Sequence, residues 1–215
     1  MTLFDDDALD SALRNKSSAT TEKGLGRARD ILLAARALLA SEGNAGLSVR
    51  RVAQDVGMSL SNVQHYYASK EQLLEELLLT TMDEFQAKMD RIAVAMAGRP
   101  QVERFLSTVD MFLDEITDPA MHAIFFEIWA LASRHRFASN LMGKMMGRER
   151  RAVFGLIRGL NPAIGDDDYM ERAVLVVAQV EGLMLFRLDR RARPEQFAAV
   201  RASVHKVLLS LATVP

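Results

Sequence analysis

An all-α fold follows from three observations. Apolar residues recur at helical spacing along almost the whole chain, and no run alternates with the two-residue period of a strand. The breaks between periodic runs carry capping residues, glycine or proline. The pattern predicts about nine helices, divided between a small N-terminal three-helix unit and a larger helical body. A length of 215 residues leaves ample material for a buried core in one or two domains. With 49% hydrophobic and 26% charged residues, the balance is that of an ordinary globular protein.

Residues 1 to about 24 lack periodicity, are rich in Asp, Ser and Thr, and read as a mobile tail. Arg14, Lys16 and Lys23 give that tail the option of acting as a basic arm. The first helix, 27–42, places Ile31, Ala35, Leu38 and Leu39 on one face and ends at Gly43. Val49, Val52, Ala53 and Val56 form the next stripe, with Ser48 as its cap and Gly57 just past its end, where a left-handed residue is cheapest. After Met58, Ser59 caps a third helix that carries Val63 and Tyr67 inward. Ser69-Lys-Glu-Gln72 is a capping box that opens a long helix from Lys70 to about Ala97, stopped by Gly98-Arg-Pro100. Its apolar residues, from Leu73 through Phe85 to Met96, are numerous enough to serve two cores. The predicted division is therefore a tail at 1–24, a helix-turn-helix domain at 25–72 and a larger domain at 73–215. Further helices are expected at about 101–117, 120–134, 137–159, 168–191 and 195–211. Asp118-Pro119 and Arg193-Pro194 set proline at a first helical position, and Asn161-Pro162 with Gly165 separates two others.

Several function classes are disfavoured. The chain has no cysteine, which removes disulfides, thiolate metal sites and a cysteine nucleophile. His65, His122, His135 and His205 are scattered, without metal-ligand spacing, and neither a serine elbow nor a phosphate-cradling glycine loop is present. The expectation is a protein that is not an enzyme and uses no cofactor or metal. Asp166-Asp-Asp168 reads as cap and dipole partner at a helix start. The acidic opening Met-Thr-Leu-Phe-Asp-Asp-Asp is unlike a secretory signal. The longest apolar run, 173–188, contains Gln179, Glu181 and Arg187 and is too short to span a bilayer, so a cytoplasmic protein without membrane contact is expected.

The segment 48–70 is the most informative for function. Two short helices around a glycine turn are the geometry that sets one helix into a DNA groove. Ser61, Asn62, Gln64 and His65 fall on the outward face of the second helix and can hydrogen-bond base edges. Ser48, Ser59 and Ser69 begin helices, whose free amides and positive dipole end suit phosphate. Lys70, in the first turn of its helix, opposes the dipole unless an anion lies near, and is otherwise a solvated lysine. Between Ser11 and Glu75 the chain has nine Lys and Arg, Arg50 among them, against six acids, a weak basic bias.

The segments Ala-Leu-Leu-Ala-Ser-Glu-Gly43, Leu47-Ser-Val-Arg-Arg-Val-Ala-Gln-Asp-Val-Gly57, Met58-Ser59, His65-Tyr-Tyr67, and Lys70 with Leu73 together resemble the TetR family of bacterial transcriptional regulators. The resemblance covers about residues 27 to 80. It implies a homodimer that binds a palindromic double-stranded DNA operator and leaves it when a small-molecule effector fills the C-terminal domain. By position it implies DNA contacts from Leu60, Ser61, Asn62, Gln64, His65 and Tyr66, and phosphate contacts from Ser48 and Lys70. Ser61 stands where the family often has glycine, and Gln64 where it often has a phosphate-binding tyrosine.

In the larger domain, 171–188 is apolar nearly all round and must be covered on every side. A four-helix interface between two copies would do this, formed by Val176, Gln179, Gly182, Leu183 and Phe186 with Val200, Val204 and Leu208 of the last helix. The rival reading is a central helix of a monomeric bundle. For a ligand cavity the candidates are Met89, Phe105, Phe112, Phe125, Trp129 and Met184, with Trp129 foremost, though each also suits plain core. Glu181 is an acid inside a greasy helix and must find a partner, either an arginine such as Arg134 or a cationic ligand. These features predict a ligand-responsive dimeric repressor; the alternative is a dimeric helical adaptor that binds protein without effector control.

Overall fold

The computed structural model describes residues 21–186 and 193–215. Arg14 and Lys16 of the expected arm, and the end of the helix expected at 168–191, lie outside the described residues. Nine α-helices and no strand occur among the described residues. They are α1 (Glu22–Gly46), α2 (Val49–Asp55), α3 (Leu60–Tyr66), α4 (Lys70–Ala95), α5 (Gln101–Glu115), α6 (Pro119–Ala132), α7 (Arg136–Ile157), α8 (Asp166–Met184) and α9 (Pro194–Thr213). No helix among them is long and apolar enough to cross a membrane.

The chain divides into two compact units. The first holds residues up to Lys88 together with 123–130; the second holds 89–122 and 131–215. In the first, Ile31, Leu32, Ala35, Leu38 and Leu39 of α1 are buried, as are Val52 and Ala53 of α2 and Val63 of α3. Leu73, Leu74, Leu77 and Leu78 of α4 complete that core. Arg36 and Glu84 form a buried ion pair at 3.4 Å between α1 and α4. The pair ties α1 to α4 inside the core.

Two details of α1 depart from expectation. The helix begins at Glu22, not Arg27, because the Thr21 hydroxyl accepts the Gly24 N–H at 3.2 Å and caps a polar first turn. Gly43 kinks the helix with φ 69° and ψ −173°, but a last turn continues to Gly46.

In the second unit, Phe105, Val109 and Leu113 of α5 are buried, as are Leu141, Val153 and Ile157 of α7. Tyr169, Ala173, Val176, Val180 and Met184 line the inner side of α8. α6 begins at Pro119, where Asp118 Oδ1 accepts the N–H groups of Ala120 and Met121, each at 2.9 Å. α9 is fastened near its middle and at its C-terminal end. Arg201 pairs with Asp110 and Asp114, and Asn161 Nδ2 donates to the Thr213 carbonyl at 2.7 Å. Asp166 engages Arg158 through two bonds of 2.8 and 2.6 Å, so this acid of the Asp166–Asp168 run binds a cation of the chain itself.

Candidate nucleic-acid interface

The turn between α2 and α3 is built by its glycine. Met58 N–H donates to the Ala53 carbonyl at 2.9 Å and Gly57 N–H to Gln54 at 3.2 Å, the bond pair of a Schellman motif. Gly57 takes φ 64°, a conformation that disfavours residues bearing a Cβ. Serine hydroxyls then fix the helix starts. Ser48 Oγ accepts the Arg51 N–H, Ser59 Oγ the Asn62 N–H, and Ser69 Oγ the Gln72 N–H, all at 3.2 Å. Each hydroxyl satisfies one amide that would otherwise have been offered to an anion. The capping box at α4 is closed one residue early: Gln72 Oε1 accepts from Ala68 N–H at 2.8 Å.

α3 has two unlike sides. Val63 is wholly buried and Tyr67 nearly so, with the Tyr67 hydroxyl donating to the Ala28 carbonyl at 3.5 Å. Burial pushes the Tyr67 phenol well above its usual range, so it stays protonated. On the opposite side Ser61, Asn62, Gln64 and His65 are exposed together, flanked by half-buried Leu60 and Tyr66. The rings of His65 and Tyr66 meet edge to face at 5.7 Å. Ser59 is exposed at the start, its hydroxyl 3.1 Å from that of Ser61. One short helix thus presents amide, hydroxyl and imidazole groups to solvent, donors and acceptors of the kind that can hydrogen-bond base edges.

The basic residues separate into committed and uncommitted ones. Arg51 is held by Glu42 at 3.0 Å and Asp55 at 3.5 Å. Arg50 is exposed and has no ion-pair partner among the described residues. Lys70 is half-buried, and its ammonium donates to the Asn44 carbonyl at the end of α1. It is neither a freely solvated lysine nor one waiting for an anion alone, because a C-terminal helix carbonyl already offsets its charge. Asn44 N–H in turn donates to Glu127 Oε2 of α6 at 2.9 Å. A Cβ on Gly43 would lie 2.7 Å from Glu127 Oε1, so the kink is glycine for its conformation and for that close approach. Asn44 was not foreseen as part of the site. The one sequence signal was Glu127, a lone acid in the apolar run 125–131.

Elsewhere the candidate residues scatter. A cavity of about 30 Å³ lies within the second unit among α5, α7 and α8. Phe105, Phe112 and Glu181 line it, together with Glu149, which sequence reasoning passed over. Met89, Phe125, Trp129 and Met184 are not among its lining residues; Trp129 is 46% exposed on α6. Arg134 is exposed and does not pair with Glu181. Glu149 sits in the charged run Arg148-Glu-Arg-Arg151, which reads as a solvated face. Its i±4 neighbours Met145 and Val153, both buried, carried the contrary signal.

On the outer side of α8, Val174 and Leu175 are exposed, and Phe186, two residues past its end, is 74% exposed. Gln179, Leu183, Val200, Val204 and Leu208 line a groove of about 300 Å³ between α8 and α9. Leu208 and Val176 turn into the core of their own chain, and a Cβ on Gly182 would meet nothing.

Residues 31–77 match the family model described as bacterial regulatory proteins, tetR family. An uncharacterised HTH-type transcriptional regulator in the dhlA 5′ region of Xanthobacter autotrophicus is 32% identical over 203 residues, 90% of this chain and 91% of that one. Among solved structures, GusR of Salmonella enterica superposes with a TM-score of 0.69 at 21% identity, over 89% of this chain and 97% of that one. A transcriptional regulator from Rhodococcus sp. Rha1 does so at 0.66 and 21%, over 87% and 99%.

Proposed function

The chain belongs to the TetR family of bacterial regulatory proteins, which are DNA-binding transcriptional regulators, and on that premise we propose that it is a dimeric repressor released from a palindromic operator by a small-molecule effector. The division of labour follows the chain: residues 25–72 bind DNA, and 73–215 hold the effector and the partner copy. Asn62, Gln64 and His65, with Ser61, are assigned to base edges. Arg50, Tyr66 and Lys70 are assigned to phosphates, beside Ser48 and Ser59 at the helix starts, and Leu60 to a thymine methyl.

The observation that carries this reading is the exposed polar face of α3 set on a buried Val63 and Tyr67. A seven-residue helix is roughly 10 Å long and reads only a few base pairs. Specificity therefore calls for two such helices, spaced by about one turn of DNA in a twofold assembly. The uncovered apolar residues of α8 and the groove beside α9 supply a face for the second copy, which makes binding of the second half-site effectively intramolecular.

Release needs an effector that prefers one of two states. α4 is one unbroken helix from Lys70 to Ala95, so a tilt started at its far end is carried to Lys70 without being absorbed by a loop. A coupling of ~1–3 kcal/mol between effector and operator would serve. Selection of bound fragments from random duplexes, combined with sedimentation of the free protein, tests the reading. The expected result is a symmetric consensus with half-sites about 10 base pairs apart and a dimer in solution. An asymmetric consensus bound by a monomer would overturn it.

A further inference from the structure

The cavity among α5, α7 and α8 contains two acids and no base. Phe105, Val109, Phe112, Val153, Val176 and Val180 give it apolar walls, and Glu149 and Glu181 are its titratable lining residues. Glu149 Oε2 and Glu181 Oε2 are both shut off from solvent, and neither has a hydrogen-bond partner among the described residues. The one other polar side chain of the lining, Thr108, donates its hydroxyl to the Arg104 carbonyl at 3.0 Å and so turns its proton away. Among the described residues no cation lowers either carboxyl.

Two unpaired carboxyl oxygens facing one apolar space are costly to the empty protein, because a buried polar group without a partner forfeits its hydration. Glutamine or leucine would fill the same volume at lower cost. The arrangement makes physical sense when an occupant returns what the site lacks: positive charge and N–H donors in a dry setting, where charge-assisted hydrogen bonds are strongest. A volume of about 30 Å³ admits roughly two water-sized groups, the size of a compact head group. Half-buried Phe112 and Leu156 stand at its margin to pack a larger apolar remainder.

We propose that this cavity is the effector site and that it selects a protonated amine: a head group with at least two N–H donors between Glu149 and Glu181, carrying an apolar substituent. The proposal rests on the effector-released reading above and names its ligand class. Glu149 and Glu181 then form the specificity element, and Phe105 with Phe112 contributes affinity without charge discrimination.

A further consequence is proton release. Burial, with Glu181 nearby, pushes Glu149 up to about 8, and burial pushes Glu181 up to about 7. At neutral pH the pair therefore holds protons that an entering cation displaces.

The test titrates the full-length protein, without DNA, with hexylamine, hexanol and hexanoate by calorimetry in two buffers of different ionisation enthalpy. Hexylamine is expected to bind at least tenfold more tightly than either comparison compound, with proton release. Glu149→Gln and Glu181→Gln, checked for unchanged helicity and operator binding, should each weaken hexylamine at least tenfold and leave hexanol unaffected. Equal binding of hexylamine and hexanol, undiminished hexylamine binding by both glutamine variants, or no binding by any of the three overturns the amine site. Operator release is read separately. Tight hexylamine binding that leaves the operator complex intact keeps the amine site and removes its role as effector site.

Discussion

Replacing Gly43 by alanine probes how α1 is held at its kink. At φ 69° and ψ −173° the backbone occupies a region nearly confined to glycine, and placing a Cβ there costs ~1–3 kcal/mol. The new methyl would also lie 2.7 Å from Glu127 Oε1, so the carboxylate must swing away. Doing so breaks the 2.9 Å bond from Asn44 N–H, and a hydrogen bond to a charged acceptor is worth ~1.5–3 kcal/mol. Gly43→Ala should therefore destabilise the protein by roughly 2.5–6 kcal/mol, and Glu127→Ala alone by ~1.5–3 kcal/mol. In the double variant the clash and the bond are already gone, so Gly43→Ala costs only its backbone share. The cycle should show a coupling of about 1.5–3 kcal/mol, measured by urea denaturation at one protein concentration with the m-value checked. Additivity within about 0.5 kcal/mol would show that Glu127 does not hold the kink.

Four further outcomes are expected. Lys70→Ala should lower the salt slope of operator binding by about one, the signature of a lost phosphate contact, when affinity is followed against salt concentration. Glu149 and Glu181 are neutral in the fold over a pH range where their unfolded forms, with a pKa of 4.5, are ionised. The stability they confer is therefore complete below 4.5 and lost as pH climbs toward 8, by an amount on the order of a few kcal/mol. Glu149→Gln should flatten that slope in denaturation midpoints compared at pH 5 and pH 8. Leu175→Arg on α8 or Phe186→Arg just past its end, both at exposed positions, should leave helicity intact and shift sedimentation from dimer to monomer. Glu84→Ala removes the carboxylate that lies 3.4 Å from buried Arg36 and should cost ~1–3 kcal/mol by the same denaturation measurement.

The helices were legible in the sequence wherever local chemistry decides them. Ser48, Gly57, Ser59 and Ser69 act within three or four residues, and α2, α3 and the start of α4 lie where those residues place them. Distant partners were not legible. Gly43 reads as a terminator, yet the helix resumes beyond it, and Asn44 N–H is satisfied by a carboxylate 83 positions away. Lys70 looked like a choice between phosphate and solvent, and its carbonyl partner comes from another helix. The face of α3 was readable because period and polarity agree there. The cavity was readable only in part: Phe105, Phe112 and Glu181 were singled out, while Glu149 was hidden in a run of arginines and Trp129 drew attention by its size.

The central claim is that the outward side of α3 reads base sequence. Its most direct test is titration of a selected operator and of an unrelated duplex, at one salt concentration, by the parent protein, Gln64→Ala and His65→Ala. Each loss should weaken operator binding by ~1–3 kcal/mol, roughly 5- to 150-fold, with unrelated DNA and thermal stability unaffected. Operator affinity equal to the parent's in both variants would contradict it.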